Sequence, residues 1–298
     1  MIRSTLLILV SLMRLSAQAQ QYDWWVEKHD WDGVTHWSDY LKFSPGYMGP
    51  NALPVPRLER GMIDSTGRLD ISARTHWSRG DDTQDLHLRY QHIFIPGRLA
   101  VAAEWMAVEH YVTDTITRDD RFSRDRDGRG FSAGDLNVAT LIRLVPEAGR
   151  RWGLVLRMNL RTASGDNHRS ARHTDAPGYH FDLSTGHWFS VSAMTRLRVH
   201  ATLGFLAYQT NRNDYYQNDC VLYGAGLLLA RGRFTLGSEV AGYAGYLHMK
   251  DDPLVWRTHI GTTGTNLEHR VTLQQGLHDW MWATASYTLS IPVGFAKP

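Results

Sequence analysis

The chain has one cysteine, Cys220, in 298 residues, so no intramolecular disulfide framework can hold it together and a small cross-linked secreted scaffold is excluded. Long hydrophobic runs are missing as well. A helix that crosses a bilayer needs about 20 consecutive apolar residues, whereas the longest largely apolar stretch here is Thr5–Met13. Proline numbers only 10 against 11 Trp, 13 Tyr and 9 Phe, a balance that excludes collagenous and disordered chains. An excess of one charge is absent too. The formal net charge of +2 equals the contribution of Arg3 and Arg14 alone. With neither counted, basic and acidic residues are equal in number, and no bulk attraction for nucleic acid remains. No nucleic-acid partner is expected.

What the N-terminus does contain is an export pattern: Arg3, the apolar Thr5–Met13, then Ser16-Ala17-Gln18-Ala19. That order reads as a secretory signal peptide over residues 1–19, cleaved near Ala19. No cysteine follows it to carry a lipid anchor.

From Gly67 onward the dominant period is two. Leu69, Ile71, Ala73, Thr75 and Trp77 alternate with Asp70, Ser72, Arg74, His76 and Ser78. The same alternation runs through Asp85–Ile95, Trp152–Thr162, Leu197–Tyr208 and Leu267–Gln274. It is weaker in Arg98–Tyr111, Gly134–Val145, Tyr179–Ala193, Val221–Ala230, Arg233–Leu247, Leu254–Thr262 and Met281–Phe295. These segments predict about twelve strands, and no helical period is visible after the signal. Short turns (Pro96-Gly97-Arg98, Met194–Arg196, Arg231-Gly232-Arg233, Thr263-Gly264-Thr265, with Pro146–Arg151 in the same place in the order) alternate with longer polar loops. The loops are Arg79–Gln84, Thr113–Ser132, Ala163–Pro177, Gln209–Asp219 and Met249–Pro253, with Gly276–Asp279 an unusually short one.

An antiparallel meander with turns at one end and loops at the other is the plan of an outer-membrane barrel. Many runs exceed the five or six residues usual in a sandwich and suit the roughly 9–11 tilted residues that cross a bilayer. The polar face also carries large charged groups in mid-strand, which suit a wet lumen. Trp77, Tyr90, Trp105, Trp152, Tyr179, Tyr287 and Phe295 stand where interfacial girdles would be. The alternating C-terminal segment ending on Phe295 resembles the strand signal read by the barrel-assembly machinery, an expected partner alongside outer-membrane lipid and lipopolysaccharide. The fold expected is therefore all-β: a transmembrane antiparallel barrel over residues 63–298 in the outer membrane of a Gram-negative bacterium.

Residues 20–62 differ. Trp24, Trp25, Trp31 and Trp37 cluster there, followed by Pro45, Pro50, Pro54 and Pro56, which mark an extended non-strand segment. It is expected either to plug the lumen or to cap the periplasmic mouth.

Several stretches carry a resemblance: Met48-Gly49-Pro50-Asn51-Ala52-Leu53-Pro54-Val55-Pro56, Val108-Glu109-His110-Tyr111, Asp125-Arg126-Asp127-Gly128, Gly134-Asp135-Leu136, Arg161-Thr162-Ala163-Ser164-Gly165-Asp166 and Thr174-Asp175-Ala176-Pro177-Gly178-Tyr179. Together they resemble a group of uncharacterised outer-membrane β-barrel proteins of Bacteroidota, over residues 24–298. More loosely, Gly134-Asp135-Leu136 followed by Thr162–Asp166 is similar to the phenol-degradation-type outer-membrane family, although Ala163 stands where that family has proline. This second resemblance, over about 50 residues, implies passage of small hydrophobic compounds. Neither implies an enzymatic activity.

Three constellations invite chemistry. His180, Asp182 and Ser184 share a strand face, as a Ser–His hydrolase on a barrel wall would require, but the lipid face there is Tyr179, Phe181 and Leu183, so no enzyme is expected. Asp125-x-Asp127-Gly128 has part of a calcium loop, yet Ser123 and Gly134 stand where carboxylates are needed. The arginines of residues 118–129 better suit a self-neutralising loop that meets lipopolysaccharide phosphates. The histidines are scattered without ligand spacing, so neither metal nor cofactor is expected. The group that carries function is the lumen lining: Arg74, Arg89, Glu104, Arg143, Arg157, Arg161, Asp182, Arg198, Glu239, Glu268 and Arg270. These would set the field met by a solute in a pore. The expected function is a channel or passive transporter for a small solute; the alternatives are a plugged structural or partner-binding barrel and, less favoured, a lipid-modifying enzyme in the membrane.

Overall fold

The computed structural model describes residues 22–210, 212–264 and 267–294. The signal peptide and Phe295 lie outside the described residues.

Alternation becomes strand wherever it was read. β1 (Gly67–Ser78), β2 (Asp81–Ile95) and β3 (Leu99–Thr113) are followed by the short β4 (Arg129–Ser132), then β5 (Leu136–Val145), β6 (Gly153–Arg161), β7 (Gly178–Ser192) and β8 (Thr195–Gln209). The sheet continues with β9 (Gln217–Arg231), β10 (Phe234–Ala244), β11 (Leu254–Thr262), β12 (Glu268–His278) and β13 (Ala283–Val293). Except for β4 and β5, each strand pairs antiparallel with its chain neighbour, and β1 pairs with both β2 and β13, which closes the barrel. β4 and β5 share one place in the wall, since β3 pairs β5 over Leu99–Trp105 and β4 over Glu109–Val112. The barrel therefore has twelve staves.

Exposure separates the two faces. On β6 and β8 the outward Leu160 and Leu203 are 56% and 65% exposed, while the inward Arg161 and Thr202 are 9% and 5%. Trp77, Tyr90, Trp105, Trp152, Tyr179 and Tyr287 all lie outward and exposed, where a lipid belt needs them. Among the described residues no helix is long and apolar enough to cross a membrane; this barrel crosses with strands.

Several expectations are corrected: Arg129–Ser132, Gln217–Asp219 and Gly276–His278 are strand where loops were expected, as β4 and as parts of β9 and β12. Arg79–Gln84 is not a loop: β1 and β2 are joined by Arg79-Gly80 alone, with Gly80 at φ +84°, and Asp81–Gln84 already belongs to β2. Helix is not absent either. α1 (Asp23–His29) and α2 (Thr115–Asp120) are seven and six residues long, too short to display a period of 3.6. α2 is set by its N-cap, where Thr117 N–H donates to Asp114 Oδ1 at 2.7 Å.

Candidate functional site

Residues 41–63 thread the lumen as a strap. At the long-loop end, Gly46 N–H donates to Lys250 O (3.1 Å) and Gly49 N–H to Ala171 O (2.9 Å). At the opposite end Gly97 N–H, in the turn between β2 and β3, donates to Asp64 O (3.2 Å). The chain thus runs the length of the barrel before β1 begins. Phe43, Met48, Ala52, Leu53, Val55 and Leu58 bury themselves against Leu206, Tyr208, Leu222, Tyr243, Val255 and Trp282 of the wall and loops. Residues 22–40 lie among the loops at the long-loop end, so of the two expected placements the structure shows the plug and not the periplasmic cap.

Proline dictates how the strap is held. Pro54 and Pro56 fix an extended backbone and have no N–H, so the strap offers carbonyls that only donors from the wall can satisfy. Arginine provides them. Arg161 Nη1 donates to Ala52 O (2.6 Å), Arg257 Nη2 to Val55 O (2.6 Å) and Nη1 to Pro56 O (3.1 Å). Arg157 Nη2 donates to Arg57 O (2.9 Å), while Arg198 reaches Arg60 O through both Nε (2.8 Å) and Nη2 (2.6 Å). Tyr243 OH adds a bond to Leu53 O (2.9 Å). The strap lies close against glycines of the wall: a Cβ on Gly224 would stand 2.7 Å from Leu58 Cδ2, and one on Gly186 would collide with Arg60 O.

The remaining lumen residues divide by what they meet. Arg157 is also paired with Asp182 (2.7 Å), Arg89 with Glu104 (2.7 Å) and Arg74 with Asp85 (2.7 Å). Glu239 pairs with Arg257 (3.2 Å), and Glu268 sits near the short-turn end, 3.6 Å from Arg68. Arg143 lies beside Gly97 at that same end. Arg270 makes no hydrogen bond or ion pair among the described residues. All eleven expected residues lie on inward positions of the strands, but they do not form one open ring, because several are committed to the strap. Sequence reasoning missed Arg257, whose alternation with Val255 and His259 carries the signal, and missed Arg57, Glu59 and Arg60, which are lumen residues on the strap itself.

Two cavities flank the strap. One of about 130 Å³ lies toward β2, β3 and β5–β8, lined by Arg57, Glu59, Arg89, Arg157 and Tyr208 among others. The other, about 290 Å³, lies toward β1, β2 and β10–β13, lined by Arg57, Arg60, Asp70, Arg257, His259 and Arg270 among others.

At the long-loop end the loops pack on residues 22–43. Arg124 stands 3.8 Å over the Tyr22 ring and Arg118 4.3 Å over Trp24, while Trp25 Nε1 donates to Phe122 O (3.1 Å). The arginines expected to face lipopolysaccharide are in part turned inward onto aromatics. Asp125 serves structure here, accepting from Tyr111 OH (3.1 Å) and Ser170 Oγ (3.0 Å). Beneath them Arg172, on the loop after β6, is fully buried. It donates to Glu109 Oε1 (2.6 Å), Asp81 Oδ2 (2.8 Å) and Thr83 Oγ1 (2.7 Å). Burial alone would lower its pKa, but Glu109 and Asp81 outweigh that and hold it above the ordinary arginine value.

His180, Asp182 and Ser184 do lie together, in the wrong order for a nucleophile. Ser184 Oγ donates to Asp182 Oδ1 (3.2 Å) and shares a hydrogen bond with Thr202 Oγ1 (2.8 Å), while His180 Nε2 is 3.7 Å from Asp182 Oδ2. No histidine takes the serine proton. Ser184→Ala is expected to cost about 1 kcal/mol of stability for the lost hydrogen bonds and to leave lipid-ester hydrolysis by the purified protein unchanged; a drop in hydrolysis after the substitution would reinstate the catalytic reading. Among the described residues no group of three or more His, Cys, Asp or Glu side chains converges to hold a metal ion.

No family model and no curated protein matches this chain. Solved structures do. The COG4313 outer membrane channel from Pseudomonas putida F1 is similar with a TM-score of 0.53 at 12% identity, over 83% of this chain and 98% of that one. LpxR from Salmonella typhimurium follows with 0.51 at 9% identity, over 76% and 100%. At these identities the likeness is one of fold, the closed antiparallel β-barrel.

Proposed function

We propose that the protein is a passive transport barrel for a small solute, gated by its own N-terminal strap. The observation that carries this reading is the 290 Å³ cavity beside the strap, lined by charged side chains in mid-barrel. A barrel that served only as a membrane anchor has no need for such a space, since small barrels can fill their interior with side chains. The fold it shares with a protein described as an outer membrane channel supports the same reading. So does the resemblance of Gly134–Leu136 and Thr162–Asp166 to the phenol-degradation-type family. Contact with lipopolysaccharide falls to Arg126 and Arg129, the exposed arginines of the loop between β3 and β5. Engagement of the assembly machinery falls to the C-terminal segment.

Reconstitution into liposomes tests the reading. Radiolabelled small solutes, tried as anions, cations and neutral compounds, are expected to equilibrate faster than across protein-free vesicles for at least one class. No flux for any class, together with no single-channel conductance in planar bilayers, would overturn transport and leave the plugged, partner-binding barrel.

A further inference from the structure

The larger cavity carries an imbalance that the strap does not consume. Six arginines line it, against three carboxylates, Asp70, Glu104 and Glu239, while Asp85 and Glu59 just outside the lining pair with Arg74 and Arg57, which leaves an excess of one positive charge. Arg257 and Arg74 are satisfied by carboxylates, amides and strap carbonyls. Three others are not. Arg60 has only the His259 ring, with Nη2 3.3 Å from Nε2; Arg57 has only Glu59, at 3.7 Å; Arg270 has no hydrogen bond or ion pair among the described residues. Two further lining residues hold buried donors without acceptors, Arg89 Nη1 and Trp280 Nε1. Arg89 Nη1 has Asp70 Oδ2 only at 3.8 Å. A buried donor left without an acceptor costs free energy. Asp70 Oδ1 is a buried acceptor without a hydrogen bond in the same lining, but the donors without acceptors outnumber it.

We propose that this cavity binds a small organic acid, and this assignment deepens the transport reading by giving the solute class. Arg60 and Arg270, with Arg57 at the strap, take the carboxylate, whose two oxygens match the planar fork of a guanidinium. Pro54 and Pro56, which line the same cavity, receive the apolar body. A cation would meet Arg60 and Arg270, which no carboxylate pairs among the described residues, and a neutral solute would leave them so, which favours an anion.

The test uses three probes of nearly one size or charge: pentanoate, its neutral amide pentanamide, and inorganic phosphate, each titrated calorimetrically into the full chain in micelles. Pentanoate is expected to bind, with pentanamide and phosphate each about tenfold weaker or more, the first for want of charge and the second for want of an apolar body. Arg270→Gln removes a guanidinium that makes no hydrogen bond or ion pair among the described residues, so the variant is expected to fold as the parent does and to weaken pentanoate about tenfold. Arg270→Lys keeps the charge without the fork and is expected to fall between. Equal binding of acid and amide, phosphate binding as tightly as pentanoate, or indifference to both Arg270 variants would each overturn the assignment. Flux separates the two claims: pentanoate binding without any solute flux refutes transport and leaves the site, while flux with no preference for pentanoate over pentanamide refutes the site and leaves transport.

Discussion

Arg172→Met is expected to lower the unfolding free energy by about 3–5 kcal/mol, the usual cost of removing one member of a buried ion pair. The reasons are local. Arg172 is fully buried and joins three elements, with Glu109 on β3, Asp81 and Thr83 on β2, and the loop after β6. Methionine fills similar space and supplies no donor. Asp81 retains Arg121, its other ion-pair partner. Glu109 retains only Asn51 Nδ2 (2.7 Å), so a carboxylate with no solvent exposure loses its cation. The strap is affected as well, because Arg172 packs on Gly49, where a Cβ would lie 2.7 Å from its Cζ. Urea unfolding in micelles, followed by tryptophan fluorescence, measures the loss. Adding Glu109→Gln removes the stranded charge and is expected to recover part of it, the non-additivity that coupled neighbours show. A loss below about 1 kcal/mol, the scale of an exposed pair, would refute the burial argument.

The strands were legible because lipid imposes alternation, and legibility fails where the strands rise above it. Asp81, Asp82, Thr83 and Gln84 are polar on both faces, so hydropathy reads a loop while the backbone continues β2. The same holds for Gln217–Asp219 at the start of β9, where the reading placed loop. The proline-rich segment announced an extended chain but not its route. That route is set by contacts distant in sequence, such as Arg60 O over Gly186 and Leu58 over Gly224. An isolated glycine within a strand can mark such an approach, though not the chain that approaches. The inward arginines were readable from period two alone. Their role was not, since a guanidinium facing a solute and one facing a strap carbonyl occupy the same alternate position.

Replacing the strap clamps together, as Arg157→Gln, Arg161→Gln and Arg257→Gln, is expected to raise single-channel conductance about tenfold, because the lumen is narrowed by the strap and not by the staves. The three side chains donate to the carbonyls of Ala52, Val55, Pro56 and Arg57. Hydrogen bonds from charged donors contribute about 1.5–3 kcal/mol each. Glutamine is shorter and uncharged, and the strap cannot repair the loss with strand pairing since Pro54 and Pro56 lack the N–H. Once the strap leaves, the cavities of about 130 and 290 Å³ merge with the volume it occupied. The barrel itself should persist, because closure rests on the β1–β13 and β1–β2 ladders rather than on the lumen. Losing Arg157 strands Asp182, which is 1% exposed, so a companion variant pairs Arg157→Gln with Asp182→Asn to remove both charges at once. Planar-bilayer recordings at fixed salt decide the matter. Unchanged conductance in the triple variant, with the strap shown by protease accessibility to have left the lumen, would mean that the staves set the constriction and that the strap is no gate.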